Sequence, residues 1–344
     1  MVNGTDATPR ERGWRRLLPA IALFLFVPAV PYFRAVVTIE QTLVLMVPAL
    51  AVCAWLAWRA GGRLWLALAW TAAALVMLTR PMAGEASYVA LARGWALVLA
   101  AVFGGVGILG GVRPFFGRAL ATVAVSGTGF MLILAVAGAT PVRVERVVAN
   151  ELDDRVESSM AAARAETETP RWQEIEKSSP DAAKWLSDAI TDMETAVRQM
   201  ALAGTTFFPA ILLFESIAAL GLAWSLHHRL SSTRIGPPLA PLREFRFDDQ
   251  LVWGAVAGLT LALIPRFVAL KAIGLNLVWF FGVLYALRGL GVMAWFLIAP
   301  GQWSGAALIA LFALLWPLPL SIGLADTWFD WRRRVRPSSE GVPK

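Results

Sequence analysis

The chain has 344 residues, 58% of them hydrophobic and only 16% charged, with a mean hydropathy of +0.61 and sixteen tryptophans. A soluble protein of this length needs a more heavily charged surface to stay dispersed, so lipid is the solvent for most of this one. The formal charge of +7 does not signal nucleic acid: residues 140–204 hold eight Lys/Arg against thirteen Asp/Glu, which leaves +12 scattered over short loops and tails. No contiguous basic face is visible, and basic loops between apolar runs follow the positive-inside pattern. The lone Cys53 lies in an apolar run, so the chain can build neither a disulfide framework nor a cysteine metal site on its own.

About 20 mostly apolar residues cross the hydrocarbon core of a bilayer. On that measure the chain offers spans at 17–33, 42–58, 64–78, 88–112 and 119–139, then, after a polar break, at 205–227, 251–265, 273–298 and 305–324. The expected fold is all-α: a polytopic transmembrane helix bundle of eight to nine spans with a small helical extracytoplasmic insertion. The domains read as 1–139 (an N-terminal membrane half of five spans), 140–204 (the acidic insertion), 205–331 (a C-terminal membrane half of three to four spans) and 332–344 (a basic tail).

Arg10, Arg12, Arg15 and Arg16 precede a first span that lacks a small-residue cleavage site, so it reads as a retained span with its amino end in the cytosol. Strict alternation then puts Arg59/Arg63, Arg113/Arg118 and Arg229/Arg234/Arg243/Arg246 on the same side, and 140–204 on the other. Nine spans would leave Arg332, Arg333, Arg334 and Arg336 outside. One late segment is therefore expected to be re-entrant or short, either 251–265 or 305–324, with the tail cytosolic. The setting implied is a bacterial inner (cytoplasmic) membrane crossed many times.

The polar segment carries its own helix signals. Ser179-Pro180-Asp181 supplies a cap, a proline at the first helical position and an acid in the first turn, and Thr169-Pro170 offers a similar start. Ala182, Trp185, Ala189, Met193, Val197 and Met200 recur at helical spacing and predict one packing face. The outer helices of the insertion are expected to continue the flanking spans. Whether it is a solvated stalk or a lid stays open at this level.

Motifs of catalysis are lacking: no phosphate loop, no HExxH, no histidine pair with metal spacing, and so no enzyme, metal or cofactor is implied. Gly105-Val106-Gly107-Ile108-Leu109-Gly110 matches GxGxxG but lies inside an apolar span with no strand before it, so the expectation is close helix packing through Gly107 and Gly111, and likewise Gly254 and Gly258. His227 and His228 are adjacent, and side chains adjacent on a helix diverge. Ionisable residues deep in lipid cost on the order of 3 kcal/mol and face a cavity or a partner. Glu215 and Arg288 lie near the middles of the sixth and eighth spans, at matched depths, and are expected either to pair structurally or to line a ligand pocket. Arg93 and Asn276 are weaker ligand candidates.

Leu242-Arg243-Glu244-Phe245-Arg246-Phe247-Asp248-Asp249-Gln250-Leu251-Val252-Trp253-Gly254, then Ala286-Leu287-Arg288-Gly289-Leu290, then Gly323-Leu324-Ala325-Asp326-Thr327-Trp328-Phe329-Asp330-Trp331-Arg332 resemble the YybS-like family of predicted bacterial membrane proteins, a domain of unknown function. The motif residues are Phe245, Phe247, Asp249, Trp253, Asp326, Trp328, Asp330 and Arg332. That family is in turn distantly similar to the substrate-binding S components of energy-coupling-factor transporters, and that resemblance implies a small-molecule-binding bundle. On physical grounds the same residues suit membrane anchoring, with Asp248 or Asp249 capping a helix and Phe245, Phe247 and Trp253 at headgroup level. Two functions follow: a transporter-like bundle that binds a small molecule, or a structural or regulatory membrane scaffold that acts on a membrane-protein partner.

Overall fold

The computed structural model describes residues 17–18, 20–22, 31–111, 114–167, 169, 172, 174, 177–297 and 314–334. The first expected span, Arg113 and most of 305–324 lie largely or wholly outside these residues. Every regular element among the described residues is helical. Among the described residues, five helices are long and apolar enough to cross a membrane. The chain divides into two compact units, Met1–Leu239 and Ala240–Lys344.

The N-terminal unit begins with α1, Ile39–Arg59. Thr38 caps it by accepting the Gln41 N–H at 3.2 Å, which settles the rotation of the first turn and hence where Gln41 and Thr42 point. Helix α2, Leu64–Thr79, returns along α1 and packs Ala74, Trp70 and Met77 on Val47 and Ala51. Its 16 residues reach only about 24 Å, short of the roughly 30 Å of hydrocarbon. Helix α3, Ala86–Leu109, lies close to α1 at Gly107, where a Cβ would stand 2.6 Å from Leu56 Cδ1. Gly111, expected to share that packing role, instead takes φ +63 in the turn after α3, and nothing lies within 4 Å of its missing side chain. Helix α4, Phe115–Val136, follows.

Two further helices make the hydrophilic insertion. Helix α5, Pro141–Thr167, is separated from α4 by a turn through Gly138 at φ +71, so on this side the span does not run on into the insertion. Helix α6, Pro180–Leu230, does run on: its 51 residues extend about 75 Å, from the tip of the insertion through the whole sixth span. Val148, Leu152, Val156 and Met160 on α5 recur every four residues and bury against Val197 and Ala201 on α6, with Met193 beside them. The remainder of the expected apolar face does not pack, since Trp185 is 70% exposed and Ala182 and Ala189 are open. The apolar ladder of α5 stops at Met160, and α6 has nothing of matching character to meet beyond it.

Around this hairpin the charges pair off. Arg164 reaches Glu157 at 3.0 Å and Glu194 at 2.5 Å, and Arg198 reaches Glu194 at 2.9 Å and Glu157 at 3.4 Å. Hydrogen bonds from Arg198 and Arg164 hold the Glu194 carboxyl below its ordinary range. Arg59, Arg63, Arg118 and Arg229 fall at the opposite end of the unit from the hairpin.

In the C-terminal unit, α7 is Val252–Leu263, α8 is Lys271–Leu297 and α9 is Pro317–Phe329. The α7–α8 crossing is close because Gly254 faces the Phe281 ring and Gly258 faces Gly274, as the sequence pattern predicts. The α8–α9 crossing is closer still: a Cβ on Gly289 would fall 1.8 Å from the Pro319 carbonyl oxygen, and one on Gly323 1.8 Å from that of Tyr285. Helix α9 ends where Asp330 takes the left-handed conformation, φ +40.

Candidate functional site

Each unit holds a buried charged side chain at the centre of a hydrogen-bonded network. In the N-terminal unit it is Glu215, 6% exposed and within the apolar half of α6. Its carboxylate accepts from Gln41 Nε2 at 2.7 Å and from Thr42 Oγ1 at 2.9 Å. Both donors are neutral. Gln41 Oε1 in turn accepts a short 2.5 Å hydrogen bond from the Tyr88 hydroxyl at the start of α3. The Arg155 guanidinium of α5 sits 4.8 Å over the Tyr88 ring and donates to Glu151 at 2.8 Å. Glu151 is buried and accepts the Glu85 N–H at 2.8 Å. A continuous polar chain thus descends from the hairpin to the buried carboxylate, through α5, α3, α1 and α6. Phe208 edges the Tyr88 ring at 6.2 Å, and Trp95 donates to Ser216, the neighbour of Glu215, at 2.9 Å.

In the C-terminal unit the buried charge is Arg288 of α8, 0% exposed. Its Nε donates to Asp326 Oδ2 at 3.0 Å, one terminal nitrogen to Asp249 Oδ1 at 2.6 Å and the other to the Asp326 carbonyl at 3.1 Å. The Phe247 ring lies 5.4 Å from the guanidinium carbon and 5.1 Å from the Tyr285 ring. Asp326 also accepts from Arg332 at 2.9 Å, and Arg332 donates to the carbonyls of Arg243 and Phe245 at 3.2 and 3.1 Å. Arg246 pairs with Asp330 at 3.0 Å. Two arginines and two carboxylates neutralise one another around Arg288, and every part of the motif contributes except Trp253 and Trp328, which are exposed.

The motif residues and Arg288 therefore form a single assembly built within the second unit. The family model that matches is described as a predicted membrane protein, DUF2232, over residues 96–327. The chain belongs to this family. No curated protein and no solved structure matches it. The matched DUF2232 region takes in Glu215 and the Arg288 assembly up to Asp326, whereas Gln41, Thr42 and Tyr88 lie before it.

Several expected roles change. Glu215 and Arg288, expected as a pair, each have partners within their own unit: Gln41 and Thr42 for the first, Asp326 and Asp249 for the second. Matched depth along the bilayer normal does not select a partner; complementary groups on the helices packed against each charge do. Arg93 donates to the Arg80 carbonyl at 2.6 Å, the residue that ends α2, where a cation suits the helix dipole. Asn276 donates to the Ala272 carbonyl of its own helix at 2.9 Å. Asp248, not Asp249, caps the turn before α7, by accepting the Gln250 N–H at 3.0 Å, which frees Asp249 for Arg288. Phe247 packs inward on Arg288 and Tyr285, where a headgroup anchor was expected. Sequence reasoning passed over Gln41, Thr42, Tyr88 and Arg155. A polar residue at the outer end of an apolar span normally meets the interface, and nothing in its spacing separates the inward-facing case.

Proposed function

We propose that this protein is a transporter-like membrane bundle whose N-terminal unit binds a small molecule, with Glu215 as the polar anchor and Gln41, Thr42 and Tyr88 around it. The hairpin of α5 and the first half of α6 is the cap over that site. It stands on the extracytoplasmic face of a bacterial cytoplasmic membrane, crossed eight or nine times, with binding and not catalysis as the activity. The distribution of Arg59, Arg63, Arg118 and Arg229, all at the end away from the hairpin, supports that orientation through the positive-inside rule.

One observation carries the reading: a carboxylate 6% exposed within an apolar span, held by two neutral side chains. Such a group is costly in lipid and marks a ligand or ion path by default. The purified protein in detergent, screened by thermal shift against a panel of small polar metabolites, is expected to yield a compound that raises Tm for the wild type and not for Glu215→Gln. A compound that stabilises both alike would remove Glu215 from the site.

A further inference from the structure

The chemistry around Glu215 says what the site takes up. Among the described residues Glu215 has hydrogen bonds but no ion pair, while the other two buried carboxylates each have one; buried Arg118 also lacks one and donates to the Gly111 carbonyl. Glu151 has Arg155, and Asp326 has both Arg288 and Arg332. The charged and titratable groups on the packed elements are few. From α3 comes Tyr88, whose hydroxyl points to Gln41 and not to Glu215. From α5 come Arg155 and Glu151, bound to each other beyond the Tyr88 ring. Helix α4 brings Arg118, which lies 4.9 Å over Trp224, well along α6. On α1, Glu40 is exposed, Cys53 lies three turns deeper, and Arg34 just before the helix is exposed. An uncompensated charge in that setting is expensive, and the cheapest remedy is neutralisation.

The hydrogen-bond partners suit a group that changes charge. The Thr42 hydroxyl can donate to a carboxylate or accept from a carboxylic acid, and the Gln41 amide donates to either form. Each carboxylate oxygen already has a neutral donor on it, Gln41 Nε2 on one and Thr42 Oγ1 on the other.

We infer that Glu215 is a proton-binding site within the membrane, with Gln41 and Thr42 as its reversible hydrogen-bond partners. Hydronium gives up one proton to the carboxylate, which becomes a neutral carboxylic acid, and one water returns to solvent. Because Gln41 also holds Tyr88, and Tyr88 underlies Arg155, the charge on Glu215 is read by the foot of the hairpin. The inference rests on the reading of Glu215 as the anchor of the binding site, and it makes the proton the ion taken up with, or in exchange for, the ligand.

Infrared difference spectroscopy on the protein in lipid nanodiscs, titrated through neutral pH, tests this directly. The wild type is expected to show a protonated-carboxyl C=O band that disappears as pH rises and is missing in Glu215→Gln. Thr42→Val removes one hydrogen bond and leaves the acid in place, so its band is expected at higher frequency, which identifies the group even where the glutamine variant folds poorly. No such band in the wild type at any pH, or a band that persists in folded Glu215→Gln and is unmoved in Thr42→Val, overturns the proposal. Thermal shift with the stabilising compound, run on the same samples, separates the two ideas: a Glu215-dependent shift with no carboxyl band sinks the proton and leaves the binding site standing.

Discussion

Glu215 and Arg288 confront the same problem, a charge buried between apolar helices, and solve it in opposite ways. Arg288 is matched on all sides: two aspartates, a second arginine to balance Asp326, and an aromatic face over the guanidinium. Glu215 has only an amide and a hydroxyl. A charge-matched cluster ties its own helices together. An unmatched one has chemistry left over. On the proposed reading the contrast gives the C-terminal unit an architectural role and the N-terminal one the binding chemistry, although the recognisable motif lies in the former.

The largest effect that would test this contrast is loss of Arg288. Arg288→Met strands Asp326 beside Arg332 and leaves Asp249 without its partner, and should destabilise the protein by about 3–5 kcal/mol, seen as a lowered Tm and poor recovery from membranes. A near-neutral result would mean that the cluster is not what holds α8 to α9. A pair of glycine substitutions in α8 comes next. Gly289→Ala places a Cβ against the Pro319 carbonyl and should cost about 1–3 kcal/mol, whereas Gly282→Ala, with nothing within 4 Å, should be neutral or stabilising by up to about 1 kcal/mol. Equal behaviour at the two sites would deny the close crossing.

Smaller changes belong to the N-terminal unit. Tyr88→Phe removes the hydroxyl that holds Gln41 and should cost about 1 kcal/mol, with faster amide exchange around Val148–Met160 measured by mass spectrometry; unchanged exchange there would uncouple the hairpin from the buried network. Glu215→Gln should alter stability at neutral pH by less than about 1 kcal/mol, in contrast to Arg288→Met, while abolishing ligand-induced stabilisation. The smallest effect is at the hairpin surface. Glu194 is held below its ordinary carboxylate range, so its contribution is complete above that range and fades as pH falls through the lowered folded value. Circular dichroism should show α5 and the start of α6 loosening only in distinctly acid solution, and Glu194→Gln should remove that dependence.

Much of this was legible from residue order. The ends of α2 follow directly from where apolar residues begin after Arg63 and stop at Thr79. The continuation of the sixth span outward into the insertion follows from the helical spacing of Met193 and Val197 and the start signal at Ser179-Pro180-Asp181. Glycine pairs 254 and 258 are interpretable because only close packing explains them inside an apolar run. Trp185 shows the limit: helical spacing marks a face that can pack, but burial needs a partner of the right length, and α5 runs out of apolar residues at Met160. Gly111 shows another, since a glycine four residues from Gly107 serves equally for packing or for a turn at positive φ.

By itself the sequence determined that lipid is the solvent, where the long helices run, and that Glu215 and Arg288 are the charges that need explaining. These are properties of composition and period, which are local. The partners of those charges were decided only in three dimensions: Gln41 and Thr42 are 174 and 173 positions from Glu215, and Asp326 is 38 from Arg288. Burial is costly enough that each charge takes whichever complementary group the packing brings within hydrogen-bond reach, and helix depth says nothing about which that will be.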